Sequence, residues 1–519
     1  MTLRRTPTKR KALALVAVLV LAMLFALAVA GVARAEDKEL AAATVIYNLY
    51  ATDGYQLMAD GTPVYMYGFV GGRQGVSLTY QQHATITAVD ASGAATAGTQ
   101  GANVTVAGGP PAPTGGPVAP AEAQFRGNAQ YPAPIIYAKV GDVVEIRLKN
   151  LGTTLPTAPD DPHSIHLHGM DVDAANDGVP ETSVGAVSAM ATTPGAGNVV
   201  VYMFKATRPG TYMYHCHQEA SIHVQMGMYG ALIIYNPTDA GAVSGPGHKG
   251  NLYGFDYDSD TVMLLSEIDT RQHVSEEINT TLTAAQTFNP VDYHPQYWFI
   301  NGLSFPNTIH ANGGSGFVWT DWIAAHPGYD PFIVGSVSLT HTNRWVTKGT
   351  KTLLRVINMG YEVQPMHMHG FHGKIIGSDQ RAWPWANLGG ITPFGQGEEK
   401  NTLTIGSGET YEWLIDFGQQ AMATATYAPA ANRLPASSFP GGTQTRYDGS
   451  GLPVSNTVTA ASAILDPEGV PYIAGPLVTG AVGIPTPGQL FPFHNHDDYK
   501  ATNNGSYPGG QFTMIMTTK

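Results

Sequence analysis

The chain has 519 residues, and with 27 basic against 39 acidic side chains it carries a formal net charge of -12. An acidic surface repels a polyanion, which excludes nucleic acid as an expected partner. The single cysteine excludes an internal disulfide framework.

The chain starts with a basic segment, "MTLRRTPTKRK", an apolar run, "ALALVAVLVLAMLFALAVAGV", and small residues, "ARA", before Glu36. That layout predicts a signal peptide over residues 1–35 and export to the periplasm or the exterior. Its removal would take the net charge to -18. The apolar run exceeds a usual signal core, so an uncleaved N-terminal membrane anchor is the alternative expectation. Adjacent Arg4 and Arg5 hint at export in a folded state.

Beyond the signal, β-branched and alternating stretches recur: "IIYAKVGDVVEIRLKN", "NVVVYMFKA", "ALIIYNP", "TKTLLRVINMG" and "NTLTIGSGETYEWLIDF". They are broken by Gly, Pro, Asn and Asp, without long 3.6-residue periodicity, which predicts an all-β protein of antiparallel sandwiches. Residues 81–123 are too rich in Gly, Ala and Pro to fill a core and read as a surface insertion. A polar stretch at 241–255 reads as a linker between domain 1, residues 36–240, and domain 2, residues 256–519. A further loop is expected from about 419 to 453.

A weak internal repeat supports two domains. "DPHSIHLHGM" at 161–170 matches "EVQPMHMHGF" at 362–371, and "YHCH" at 214–217 matches "FHNH" at 493–496. Ten of 18 histidines fall in these windows or just after them: His163, His166 and His168; His215, His217 and His223; His367 and His369; His494 and His496. On a strand, residues i and i+2 share a face, so each H-x-H presents two imidazoles to one region of space. One such pair alone is as well explained by solvated surface histidines; four in matching places are not. A thiolate with two imidazoles and a weak axial methionine is the ligand set of a blue copper electron-transfer site, here His163, Cys216, His223 and Met228.

With "HSIHLHG" at 163–169 and "HCHQEASIHVQMGM" at 215–228, the chain resembles the multicopper oxidases. The resemblance is strongest to the two-domain, laccase-like kind with its type 1 copper in the N-terminal domain. "YPAPIIYAKVGDVVEIRLKNLG", "FKATRPGTYMYHCH", "FINGLSFPNTI" and "LLRVINMGYEVQPMHMHGF" read like framework of the same family. The resemblance implies two cupredoxin-like Greek-key β-sandwich domains and four coppers per chain. His163, Cys216 and His223 would bind the type 1 copper, with Met228 axial and Met226 left to packing. His166 and His367 would hold the type 2 copper. His168, His215, His217, His369, His494 and His496 would hold the two type 3 coppers. In domain 2, Gln364 stands in the place of His163 and Asn495 in that of Cys216, so that half would supply cluster histidines only.

The implied activity is one-electron oxidation of a phenolic compound or low-valent metal ion, with four-electron reduction of O2 to water. Cys216 would link the type 1 copper through its own backbone to His215 and His217. Asp177, in "NDGVPET", resembles the family's proton-handling acid, although an Asp-Gly pair is also an ordinary turn; Glu219 is the weaker candidate. A copper nitrite reductase and a non-catalytic electron-transfer cupredoxin are the rivals, and neither uses the histidine pairs of domain 2. With no spacer domain, the resemblance implies a homotrimer whose clusters lie between subunits in head-to-tail contacts.

Overall fold

The computed structural model describes residues 42–183, 198–305, 307–309, 346–347, 351–384, 386, 397–416, 442–447, 453–458, 464–465, 471–472 and 488–518. The expected signal segment and most of the loop expected at 419–453 lie outside the described residues. No helix among the described residues is long and apolar enough to cross a membrane.

Two β-sandwiches account for most of the described residues. In the first, one sheet runs in the order Val199–Lys205, Val143–Asn150, Val45–Leu57, Pro63–Arg73. The other runs Ile136–Lys139, Tyr229–Tyr235, Gly210–His215, His166–His168. Val144, Ile146, Leu148 and Tyr202 from the first sheet share a buried core with Tyr212, Tyr214, Leu232 and Ile234 from the second. The second sandwich places Ser259–Ile268, Lys351–Asn358 and Thr410–Asp416 side by side in one sheet. Its other sheet centres on Gln364–Met368, Gly488–Asn495 and Phe512–Thr518. Met263, Leu354 and Trp413 meet Met366, Leu403 and Phe493 in its core.

The expected antiparallel sandwiches also carry parallel strand pairs. Val45–Leu57 pairs parallel with Val143–Asn150, Ile136–Lys139 with Tyr229–Tyr235, and Ser259–Ile268 with Lys351–Asn358. Parallel neighbours need long crossover connections, and here each pair is separated by more than seventy residues of chain. Sequence alternation cannot reveal that pairing, because it reports which face is buried and not which strand lies alongside.

Strand patterns record how the sandwiches meet. Val199–Lys205 alternates buried and exposed positions, as expected with one face covered. Tyr229–Tyr235 and Ser259–Ile268 are buried at every position, because both faces are covered. The second cover is a shared apolar layer in which Tyr131, Met213 and Tyr229 of the first sandwich pack with Val262, Tyr297 and Phe299 of the second. Tyr131 and Phe299 meet edge to face, with ring centroids 5.2 Å apart. Asp260 and Arg355, both buried, pair at 2.7 Å within reach of Tyr235, whose hydroxyl donates to Asp260 at 2.8 Å. A buried ion pair needs this many partners to offset its lost hydration.

The stretch expected as a linker is ordered: Gly241–Ser244 forms one helical turn, and Gly250–Leu252 pairs with Phe255–Tyr257 in a hairpin. The expected insertion forms two strand pairs, Leu78–Gln81 with Asn103–Val106 and Thr85–Val89 with Ala95–Thr99. Leu78, Val104 and Val106 pack on a small buried cluster of Tyr50, Val70, Tyr80, Phe125 and Leu151, so part of the segment has a core after all.

A short helix, Thr270–Glu277, crosses from the second sandwich to the first. Asp269 starts it by accepting the Arg271 N–H, a side-chain N-cap. His273 Nδ1 lies 2.6 Å from the Tyr65 carbonyl, and Gln272 donates to the Ser221 carbonyl at 3.3 Å. Those contacts seat the helix beside the loop that follows Cys216.

Candidate metal centres

Cys216 follows directly on the Gly210–His215 strand, and its backbone is clipped to the loop that returns to it. Its N–H donates to the Met228 carbonyl at 2.9 Å, and the Met228 N–H donates to the His223 carbonyl at 3.1 Å. Gly227, at φ +116°, makes the close turn possible: a Cβ there would sit 2.8 Å from the Tyr67 carbonyl oxygen. Cys216 Sγ then lies 3.9 Å from His163 Nδ1 and 3.4 Å from His223 Nδ1. A first-row ion bound through bonds of about 2.0–2.3 Å to nitrogen and sulfur fits within such separations. His163, Cys216, His223 and Met228 are all buried, and Met226 is buried in the same core. The donor set of two imidazoles, a thiol and a thioether therefore fits a copper ion.

Burial first, and then the neighbouring His223, hold His163 well below the usual imidazole range, so it stays neutral and able to ligate. His223 differs. Burial works against its protonation, but contacts to Asp161 and Cys216 outweigh it and push the ring up to about 10. A proton and a metal therefore compete for its nitrogens. Asp161 Oδ2 stands 3.5 Å from His223 Nε2, an ion-pair distance rather than a well-made hydrogen bond. Tyr67 meets both imidazoles, with its ring nearly perpendicular to that of His223 at 5.8 Å.

Of what covers this site, the sequence pointed only to Glu219, as a proton-handling candidate; Glu276, Tyr361 and Gln225 went unread. Glu219, with a left-handed φ of 43°, opens the helical turn Ala220–His223 and lies with Asp161 close to His223. From the second sandwich, Glu276 is pushed up to about 7 by burial and then by the Asp161 charge. Tyr361 donates to the Ala220 carbonyl at 3.0 Å, and Gln225 donates to the Glu267 carbonyl at 3.0 Å. The available signal was the Asp269 cap opening "TRQHVSEE", a run too short for periodicity to register.

The remaining eight histidines form two groups of four with the same internal geometry. In the first sandwich, the His166 ring lies 5.0 Å from His215 and 5.3 Å from His217, the latter at 78°. In the second, the His367 ring lies 5.7 Å from His494 and 5.0 Å from His496, the latter at 79°. His215 and His217 stack at 5.9 Å and 26°; His494 and His496 stack at 5.8 Å and 25°. His168 and His369 complete the groups at 5.6 and 5.3 Å from His215 and His494.

Ring nitrogens turned away from the groups have partners. His166 Nδ1 meets the Asp177 carbonyl at 2.8 Å, and His367 Nδ1 meets Thr402 Oγ1 at 2.8 Å. His215 and His494 each meet the carbonyl of the next residue, at 2.9 and 2.8 Å. Such bonds fix tautomer and orientation and turn Nε2 inward, where His215 Nε2 lies 3.4 Å from His168 Nδ1 and His494 Nε2 lies 3.1 Å from His369 Nε2. Burial lowers His168, His367 and His369, and lowers His215 to about 3, so these rings are neutral donors.

Asp177 proves to be both turn and neighbour. A Cβ on Gly178, at φ +80°, would overlap the Ile165 carbonyl, so this Asp-Gly turn presses on the strand carrying His166. That brings Asp177 Oδ1 to 3.4 Å from His166 Nδ1. Among the described residues, no ring contact or hydrogen bond joins the first group of histidines to the second.

At the second sandwich's counterpart of the Cys216 site, hydrogen bonds replace ligands. Asn495 Nδ2 donates to Gln364 Oε1 and Gln511 Oε1, both at 2.7 Å, and Gln364 Nε2 donates to the buried Glu267 carboxylate at 2.6 Å. A closed polar network holds the space with no thiol in it.

Residues 111–238 match the family model described as multicopper oxidase. Copper resistance protein A of Pseudomonas syringae pv. tomato is 36% identical over 107 residues, which are 21% of this chain and 15% of that protein. L-ascorbate oxidase of Nicotiana tabacum is 30% identical over 178 residues, 34% of this chain and 25% of that protein. The chain thus spans a quarter or less of the length of these relatives. Among solved structures, the blue copper oxidase from Nitrosomonas europaea is 18% identical, covers 91% of this chain and 85% of its own, and has a TM-score of 0.47.

Proposed function

We propose, for a chain that carries a multicopper oxidase domain over residues 111–238, that it takes electrons singly from a small reductant and delivers them to O2, forming water. Bound copper would supply the redox chemistry: a type 1 ion at His163, Cys216, His223 and Met228, and one type 2 and two type 3 ions at the paired histidines. The observation that carries the reading is the matched geometry of the two four-histidine groups. A nitrite reductase or a simple electron-transfer cupredoxin would have no use for the second group.

The chain's own residues divide the work. Cys216 faces His163 and His223 through its sulfur and is joined by peptide bonds to His215 and His217, which gives electrons a short covalent route. Asp177, beside His166, can hold and release a proton at Oδ1. His223 is buried, but Asp161, with 24% of its side chain exposed, stands between its Nε2 and solvent. Carboxylates there could accept a phenol's proton or attract Fe(II), Cu(I) or Mn(II), so these are the reductant classes we assign.

The subunit arrangement belongs to the same proposal. Each histidine group is half of a trinuclear set and the two halves of one chain make no mutual contact among the described residues, which supports a head-to-tail homotrimer. A periplasmic or extracellular location completes it. The test is steady-state O2 uptake by copper-loaded protein against phenols, Fe(II), Cu(I), Mn(II) and, separately, nitrite. Uptake with a phenol or a low-valent ion supports the reading; nitrite reduction without uptake, or a blue protein that consumes no O2, overturns it.

A further inference from the structure

We propose that Gln380, from the second sandwich, is a positioning residue for the first histidine group. Its amide stands where a strand neighbour is missing, beside the two segments that carry His168 and His215. This rests on the copper-binding role proposed above for those two histidines.

Strand register sets the place to be filled. Met213 lies opposite His168, and His215 opposite His166. Continued for two residues, that register would put Met170 opposite Thr211, but the His166–His168 strand ends first. Gly169, at φ +85°, turns the chain away in a conformation that suits glycine. Thr211 is fully buried, four residues before His215, so its backbone N–H and C=O need partners that neither the ended strand nor bulk water supplies.

Side chains of the second sandwich supply them. The Thr211 N–H donates to Glu412 Oε1 at 3.0 Å, and its C=O accepts from Gln380 Nε2 at 2.6 Å. Gln380 Nε2 also donates to Thr410 Oγ1 at 3.1 Å. The same amide packs on Gly169, where a Cβ would sit 2.6 Å from Gln380 Oε1. Gln380 thus touches both the residue that follows His168 and the strand that leads to His215, and those two imidazoles meet with nitrogens 3.4 Å apart. Gly408, two residues before Thr410, abuts the His168 ring itself: a Cβ on it would lie 3.3 Å from His168 Cε1.

The backbone at Gln380 is unusual for its residue type. Asp379 and Gln380 are the central residues of the tight turn between the paired Ser378 and Arg381, and both are left-handed, at φ 46° and 60°. Turns of this kind favour Asn, Asp and Gly. Asp379 fits that preference and Gln380 does not. Gln380 is 5% exposed with its amide on the first sandwich, so what holds it in this conformation is the contact across to Thr211 and Gly169.

Gln380→Met keeps the length of the side chain and removes the donor. In the copper-loaded full chain, stopped-flow absorbance separates two half-reactions: initial anaerobic bleaching of the blue band by a reductant, which reports on the Cys216 site, and return of colour with O2, which reports on the histidine groups. The variant should bleach at the wild-type rate and recolour about ten-fold or more slowly. Thr410→Val removes one of the two acceptors of the Gln380 amide and should slow recolouring by less. On metal-free protein, backbone hydrogen exchange at residues 166–169 and 210–215 should be faster in Gln380→Met, a readout independent of activity. Wild-type recolouring or wild-type exchange in folded Gln380→Met overturns the proposal, and so does equal slowing of bleaching and recolouring, which marks a general loss of structure. If Gln380→Met does not fold, the same comparisons on Thr410→Val decide it. If the wild-type chain does not recolour with O2, the proposed function fails, and the exchange comparison alone decides the role of Gln380.

Discussion

Asn495 occupies the place that Cys216 holds in the first sandwich, and Asn495→Asp exchanges a single NH2 for oxygen. The neighbours fix what that group must do. Gln364 turns its NH2 to the Glu267 carboxylate at 2.6 Å, so its oxygen faces Asn495. Gln511 donates to the Ser266 and Phe299 carbonyls at 3.3 and 3.1 Å, so its oxygen faces Asn495 as well. Asn495 Nδ2 therefore donates twice, while its Oδ1 takes the Asp497 N–H at 2.9 Å. All three amide side chains have no solvent exposure. In Asn495→Asp, a carboxyl oxygen would stand 2.7 Å from two amide oxygens, with at most one proton to share. Each buried hydrogen bond lost with its partner left unmet costs about 1–3 kcal/mol, so the variant should lose about 2–6 kcal/mol. Because His494 and His496 flank this residue, copper retention by the histidine groups should fall while the blue band, whose ligands lie in the other sandwich, persists. Urea unfolding at pH 7, followed by tryptophan fluorescence and read as a midpoint shift, measures the first effect; copper content and visible absorbance measure the second. An Asn495→Asp protein that unfolds at the wild-type urea concentration with its copper intact would refute the donor assignments.

Cys216→Ser should lose the blue band yet keep copper at the eight paired histidines, as metal analysis and absorbance will report. Replacing His166 and His168 by Ala in one protein, and His494 and His496 by Ala in another, should abolish O2 uptake in each; co-assembly should restore part of it, since a mixed ring of three retains one intact interface. Mixed rings that form but stay inactive would place each cluster within one chain. Glu412, buried with its Oε1 on the Thr211 N–H at 3.0 Å and no bond to Oε2 among the described residues, is pushed up to about 7 by burial. The folded chain thus takes up a proton there that the unfolded chain lacks, so this stabilisation is full below about pH 4.5 and is lost as pH rises through about 7. Glu412→Gln should remove that loss and make the protein more stable than wild type at pH 8, by an amount on the order of 1–3 kcal/mol; a lower melting temperature at pH 8 would contradict it.

What was legible in the sequence was local. Each H-x-H is a local signal, although only His166 and His168 lie together within one strand while His217, His369 and His496 fall just past a strand end, and the spacing from Cys216 to His223 and Met228 lies within one loop. Asp177 came only from the resemblance, and its sequence alone read equally as an Asp-Gly turn; the structure sets its Oδ1 3.4 Å from His166 Nδ1. Contacts between distant segments were not legible. The parallel pairing of Val45–Leu57 with Val143–Asn150, the Thr270–Glu277 helix seated by Tyr65 and Ser221, and the Glu267 and Gln511 partners of the Gln364–Asn495 pair each depend on residues far apart in sequence. The fully buried strands Tyr229–Tyr235 and Ser259–Ile268 hinted at a covered second face, but their composition could not say what covers it.

Eight paired histidines acting with one blue site require four copper ions per chain, and copper stoichiometry measures that number. Purified chain, saturated with copper, dialysed against a weak chelator and assayed for metal and protein together, should hold four coppers per chain and be blue. A value of two or fewer in the blue protein would contradict it.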